Sequence, residues 1–198
     1  VSRLLPDDLA AAAAVHVLVA GYVGPDDRVG STVALVVDGD TRVVIDPGMV
    51  ANRRLILDPL GSLGVAPDDV TDVVFSHHHP DHTLNAALFP NARVHDHWAI
   101  YRDDLWTARP ADGFRLSPSV VLATTPGHTP QDITTLAGTA EGVVAFTHLW
   151  WFAAGPPEDP VATDPGALHF HRERVLAVAT RIVPGHGPAF VPDVGTAR

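Results

Sequence analysis

Short apolar, β-branched runs separated by polar turns set the pattern of this chain. Val15 to Ala20, Thr32 to Val37, Thr41 to Ile45, Val70 to Phe75 and Ala92 to His95 read as strands, as do Val120 to Ala123, Ile133 to Leu136, Val143 to Phe146 and Arg181 to Val183. Asp38-Gly39-Asp40 between the second and third runs predicts a hairpin. Helical spacing is rarer. Ala51 to Leu63 carries Leu55, Leu60 and Leu63 at apolar positions, with Pro59 predicting a late kink or stop. Thr83 to Phe89 and Ala99 to Leu105 read as short helices. Pro165 to Thr180 is the clearest helix, with Asp164 as N-cap and Pro165 at its first position. The elements imply a layered α/β arrangement over one domain, residues 1–198. No glycine-rich phosphate loop of the dinucleotide-binding kind is visible.

Composition narrows the chemistry. The chain has no cysteine, so disulfides and thiolate metal sites are excluded and any metal must be held by His, Asp or Glu. It has 12 histidines, more than a domain of this size needs for structure, which points to metal or proton chemistry. A formal net charge of -10 disfavours a broad nucleic-acid or anionic-membrane surface, while leaving room for a small basic patch. Ala10 to Ala14 and the apolar run after it have some likeness to a signal-peptide core. Asp7-Asp8 ahead of it and His16 within it favour a first strand instead. No stretch is long and apolar enough to span a bilayer, so a cytoplasmic protein without a membrane partner is expected.

The histidines fall where runs end. Ser76 to His82, Thr125-Pro126-Gly127-His128, Thr147-His148 and Val183-Pro184-Gly185-His186 each follow a predicted strand or an apolar run. Strand ends deliver side chains from rigid scaffolding into loops, where sites are assembled. In His77-His78-His79-Pro80-Asp81-His82, alternate residues of an extended segment point the same way, so His77 and His79 can face one metal. Asp81 and His82 fall where the chain turns into a helix and can face a second position. His78 should point away. His95 and His97 are read as structural rather than cleft residues, and Trp150, Trp151 and Phe152 as core before cleft wall.

These residues resemble the His-x-His-x-Asp-His signature of the metallo-β-lactamase superfamily. The likeness extends to Asp46-Pro47-Gly48, Pro126-Gly127-His128-Thr129 and Pro184-Gly185-His186-Gly187-Pro188, in the same order along the chain. Within the superfamily, Val70-Thr71-Asp72-Val73-Val74 and Leu88-Phe89-Pro90 are similar to the branch of short chains named for metallo-β-lactamase domain-containing protein 1. The resemblance implies a four-layer αββα sandwich. It implies a first metal on His77, His79 and His128, and a second on Asp81, His82 and His186. Asp46 would orient a ligand from behind. Zinc is the first expectation, as one or two ions, with iron or manganese as alternatives.

One position departs from the family pattern. Where a metal-bridging Asp in a Gly-Asp context is expected, this chain has Thr147-His148, and the next Asp is Asp159. A carboxylate can bind two metals, whereas a neutral imidazole has one free lone pair. Two metals bridged by hydroxide alone, a single metal, or His148 as a one-sided ligand all remain open. The expected activity is hydrolysis of an ester, thioester, lactone or phosphoester by metal-activated water, with Asp81 as the catalytic residue. The alternatives are an iron-dependent oxidoreductase of the persulfide dioxygenase type, a nuclease, or a non-catalytic metal-binding module. A small-molecule substrate is expected, a nucleic acid is disfavoured, and a homodimer is compatible. Tyr101 to Phe114 and Ala153 to Thr163 are the expected mobile lids.

Overall fold

The computed structural model describes residues 4–198. Strand β1 (Ala14–Val19) is followed by a small hairpin of β2 (Tyr22–Val23) and β3 (Val29–Gly30). Strands β4 (Val33–Asp38) and β5 (Thr41–Ile45) form the predicted hairpin, with Gly39 at φ +59° in its turn. Helix α1 (Arg54–Ser62), β6 (Asp72–Val74), the single-turn α2 (Pro80–Thr83) and β7 (Arg93–His95) come next. With β8 (Ala99–Arg102) and β9 (Leu105–Ala108) these strands make a seven-stranded sheet, ordered β1-β4-β5-β6-β7-β8-β9. The rest of the chain is β10 (Arg115–Ser117), β11 (Val120–Thr124), β12 (Ile133–Thr139), β13 (Gly142–Thr147), helix α3 (Pro165–Leu176) and β14 (Arg181–Pro184). These five strands form a second sheet in sequence order.

The pleat sorts side chains into three apolar layers. Ala34 and Val36 of β4 point between the sheets, where they join Val43, Ile45, Val120, Leu122, Ile133, Val144 and Phe146. Their neighbours Val33 and Leu35 point outward and pack under Ile56 and Leu60 of α1. On the other sheet Val121, Ala123 and Ala145 point outward beneath Leu168 and Val175 of α3. The result is the αββα sandwich that the resemblance implied. Each fully buried Val, Leu or Ile contributes roughly 1.5–3 kcal/mol, so three such layers hold the strand ends firmly. Among the described residues, no helix is long and apolar enough to cross a membrane.

Two helix predictions need correction. Residues 99–105 are not a helix but the start of the β8–β9 hairpin, at the edge of the larger sheet. The aromatic and β-branched residues Ile100, Tyr101, Trp106 and Thr107 suit a pleated surface, and Asp103 takes the turn at φ +53°. The helix expected over 83–89 is divided into α2 and a 3₁₀ turn at 86–88. Asn85 causes the break: its N–H donates to Pro47 O and its side chain to Gly48 O, so it serves the neighbouring loop instead of a helix. Helix α3 stops at Leu176, short of Thr180, and its Asp164 cap is present, accepting from Ala167 N at 2.9 Å.

The two sheets are stitched together along one edge. Ile133 N donates to Ser76 O at 2.8 Å, and Thr32 N to Gly185 O at 2.7 Å. Ser76 and Gly185 each stand one residue before a histidine of interest, so these bonds set how the two groups of histidines face each other.

Candidate metal centre

The contiguous half of the site hangs from the ends of β5 and β6. Asp46, in the left-handed region at φ +50°, turns the chain sharply after β5. Its Oδ1 accepts from Ser76 N at 2.7 Å and its Oδ2 lies 2.9 Å from His82 Nδ1. A Cβ on Gly48 would lie 1.6 Å from Asp81 O, so only glycine lets this turn pass beneath the start of α2. Met49 N donates to the same carbonyl at 2.9 Å. Asp46 and Gly48 therefore fix the path of the His77–His82 segment as one unit.

The other half supplies single residues. His128 follows β11, His148 follows β13, and His186 follows β14. All three are buried, as are His77 and His82. The structure brings His77, His79, Asp81, His82, His128, His148 and His186 together, with Asp46 behind them. His79 Nδ1 lies 3.0 Å from His77 Nε2 and 3.2 Å from His128 Nε2. Asp81 Oδ2 lies 3.4 Å from His82 Nε2 and 3.6 Å from His186 Nε2. His148 stands between the two groups. Its Nε2 is 3.0 Å from His186 Nε2, and its ring is 4.1 Å from that of His128. Two triads, His77-His128-His148 and His82-His148-His186, each hold donor atoms within 4.8 Å of one another.

Hydrogen bonds on the far side of the rings fix which nitrogen faces inward. His82 Nδ1 meets the Asp46 carboxylate, His128 Nδ1 meets Asp159 Oδ2 at 2.7 Å, and His186 Nδ1 meets Gly30 O at 3.1 Å. Carboxylate and carbonyl oxygens only accept, so each Nδ1 carries the proton and each Nε2 presents a lone pair to the centre. His82 Nε2 and His148 Nδ1 are buried and make no hydrogen bond. Burial first, and then the surrounding imidazoles, hold His77 and His148 well below the usual histidine pKa. His79 and His186 are shifted the same way, again chiefly by burial. Neutral rings with converging lone pairs repel one another unless a cation lies between them. N···N separations near 3 Å match the edges of a coordination shell with metal–nitrogen bonds of roughly 2.0–2.1 Å. The donor set therefore fits one or two divalent metals of the zinc or iron type.

The histidines open into a cavity of about 240 Å³, walled by Val23, Val29, Trp151 and Val161. Two larger hollows, of about 370 and 570 Å³, lie elsewhere, but neither gathers the histidine nitrogens. His78 lies outside the cluster, donating to Asp96 Oδ2 at 3.0 Å. His95 is buried against Asp72 at 2.8 Å, as a structural residue would be. Trp150 is core, whereas its neighbour Trp151 is cavity wall.

Asp159 is the residue that the pattern of the sequence did not mark as part of the site. It lies in the Pro-rich segment expected to be a mobile lid, 31 residues after His128, and no periodicity or motif connects the two. That segment is pinned. Arg172, 1% exposed, donates to Pro156 O, Pro157 O and Leu149 O at 2.7–2.9 Å. Thr163 N and Asp164 N donate to the carbonyls of His128 and Gly127. Burial works against an ionised Asp159, but the bonds from His128, Val161 N and Trp151 outweigh it and hold its pKa below the usual carboxylate value.

The sequence profile of the metallo-beta-lactamase superfamily matches residues 26–192. Metallo-beta-lactamase domain-containing protein 1 of Xenopus laevis is 34% identical over 190 residues, covering 89% of this chain and 80% of its own length. The Homo sapiens protein of the same name is 37% identical over 159 residues, covering 75% of this chain and 59% of its own, so the match spans about three fifths of that relative. Among solved structures, tm0894 of Thermotoga maritima superposes with TM-score 0.73 at 21% identity, over 91% of this chain and 99% of its own. A quorum-quenching N-acyl homoserine lactone lactonase gives 0.63 at 19%, over 89% and 92%. TTHA1623 in a di-iron-bound form gives 0.64 at 24%, over 87% and 94%.

Proposed function

Because the chain belongs to the metallo-β-lactamase superfamily, we propose that it is a metal-dependent hydrolase of a compact, uncharged ester or lactone. The observation that carries this reading is the set of inward lone pairs on His82, His128 and His186, each fixed by an acceptor-only partner. His77, His79 and His128 would hold one ion, and Asp81, His82 and His186 a second. His148, with its Nε2 beside that of His186, serves the second position in place of the carboxylate expected there. A bound divalent metal supplies a Lewis acid and an acidified water. Asp81, 18% exposed at its side chain, stands at the cavity mouth, where it can orient a water and hold its proton.

The walls argue for the substrate class. Val23, Val29, Trp151 and Val161 are apolar, and the cavity lining holds neither Lys nor Arg. A phosphodiester would have only the bound metals to hold its oxygens, whereas a short acyl chain is also met by this apolar surface. The fold shared with an acyl homoserine lactone lactonase supports the same class.

Metal analysis of the purified protein, followed by a substrate panel before and after chelation, tests the reading. Hydrolysis of a short-chain ester or lactone, lost on chelation and restored by zinc, is the expected result. A phosphodiester turned over faster than every ester would overturn the substrate class. Iron content with oxygen uptake on a thiol persulfide would move the protein to the redox branch. No turnover of any substrate with zinc, manganese or iron would leave only a metal-binding module.

A further inference from the structure

We propose that Asp159 is a positioning residue of the metal centre, fixing the tautomer of His128 and the Trp151 wall from outside the ligand set. The inference rests on the reading of His128 as a ligand. One carboxylate oxygen does both tasks: Asp159 Oδ2 accepts from His128 Nδ1 at 2.7 Å and from Trp151 Nε1 at 3.1 Å. The other oxygen accepts from Val161 N at 3.0 Å, and Val161 is itself cavity wall. The Asp159 side chain is fully buried. A buried carboxylate accepting from a histidine is costly unless its acceptors are well used, and here all three bonds run to the site.

The segment is built to hold this carboxylate still. Arg172 grips the carbonyls of Pro156 and Pro157 just before it, and Thr163 and Asp164 bond back to the His128 turn just after it. The other acid of that turn, Asp132, is engaged with Thr129 through both oxygens, so the His128 ring nitrogen bonds Asp159. The arrangement mirrors Asp46 on His82 across the site. Each half of the site thus has one carboxylate that holds a histidine from behind, Asp46 just after β5 and Asp159 in the segment before α3. The centre has a neutral His148 where a carboxylate is expected, and Asp159 returns a negative charge one residue further out. A carboxylate on the far nitrogen raises the basicity of the ring and holds its orientation, and losing such a partner typically costs 10–100-fold in metal affinity.

The test is a competition titration of metal-free protein with Zn²⁺ against a chromophoric chelator, with Co²⁺ absorption spectra in parallel. Asp159→Asn, Asp159→Glu and His128→Ala are compared with wild type, together with the melting temperature of each metal-free protein. The expected result is about 10–100-fold weaker Zn²⁺ binding and an altered Co²⁺ spectrum in Asp159→Asn, with Asp159→Glu, which keeps the charge, recovering part of the affinity. Asp159→Asn with affinity within twofold of wild type, while His128→Ala loses metal, overturns the proposal, whatever happens to the melting temperature. Unchanged affinity in His128→Ala as well would instead overturn the ligand reading beneath it. If Asp159→Asn does not fold, Asp159→Ser, which also removes the charge, carries the decision: Zn²⁺ affinity within twofold of wild type then overturns the proposal, and a loss of about 10-fold or more supports it.

Discussion

The seven-stranded sheet hands the site a contiguous run, whereas the five-stranded sheet hands it three single histidines from three strand ends. On the first side, His77, His79, Asp81 and His82 share one backbone path, and that path is fixed by Asp46 and by the close passage of Gly48 under Asp81. On the second side, His128, His148 and His186 come from three separate strands, His128 and His186 each with its own back contact and His148 with no hydrogen bond behind its ring. A change on the first side disturbs every neighbour. A change on the second can be absorbed at one position, and that is where this chain carries His148 instead of an aspartate.

Two glycines give the hardest test of this contrast. In Gly48→Ala the new Cβ meets backbone, 1.6 Å from Asp81 O and 2.2 Å from its carbonyl carbon. Neither segment has a flexible end to move, so the expected cost is more than about 4 kcal/mol and a protein that fails to fold or melts far lower. In Gly185→Ala the Cβ meets the His148 ring, 2.4 Å from Cδ2. A side chain can turn aside, so this variant should fold with a modest loss in melting temperature and a specific loss of metal from the second position. Equal destabilisation by the two substitutions would erase the distinction between the halves.

Single-ligand removals come next. His77→Ala should abolish stoichiometric metal and bring hydrolysis to the level of chelated protein, because His77 is central to the contiguous run and touches His79 and packs on His82, His128 and His148. His148→Ala should lower the metal content by one ion and leave the first position filled. His148→Asp should restore the second ion. Elemental analysis after gel filtration reads all three. A metal content unchanged in His148→Ala would remove His148 from the ligand set and make it packing alone.

Asp46→Asn asks for a finer distinction. The amide still accepts from Ser76 N or from His82 but no longer carries the charge that both partners share, and the expected loss is about 10–100-fold in metal affinity. Because Asp46 also holds the backbone at Ser76, its loss should lower the melting temperature of metal-free protein too. The matching change at Asp159 should affect metal more than fold. Chelator competition and thermal melts on the same samples separate the two.

The same contrast explains what could be read along the chain. The contiguous run, and the Pro-Gly-His turns after β11 and β14, are local patterns, so their residues stand out in the sequence as strand-end chemistry. Layering was legible in part, since the unbroken apolar runs Val33 to Val37 and Val120 to Ala123 read as strands covered on both faces, whereas the layer each residue joins follows from the pleat and pairing in the fold. Asp159 was not legible, because it meets His128 only after tertiary contacts, from Arg172 and from Thr163 N and Asp164 N to the His128 turn, fold the intervening loop back. Nor were Val23 and Val29, which form a two-strand hairpin too short to show a period. Residues 99–105 were misread because a four-residue strand and a short helix carry the same number of apolar positions, and only pairing with β9 decides between them.

The smallest expected effect concerns the outer layer of the second half. His171 on α3 is 8% exposed, and burial, helped by the neighbouring Arg174, lowers its pKa to about 4. Its Nδ1 accepts from Arg174 Nη1 at 3.1 Å, which requires the neutral ring. In the unfolded chain the ring takes up a proton below about pH 6.5. The folded value lies below the unfolded one, so the stability this ring contributes is complete above pH 6.5. It is lost as pH falls from there towards 4, since the unfolded state then binds the extra proton. After allowance for solvent screening the term is about 1 kcal/mol, or ~2–4 °C in melting temperature. His171→Gln keeps a neutral polar group without a titrating one, so its melting temperature should fall less than that of wild type between pH 7 and pH 5. Metal-free protein is the right sample, because acid also strips histidine ligands and would hide a term this small. An identical pH slope in the variant would show that the acid sensitivity of this half resides in the site histidines and not in the helix that covers them.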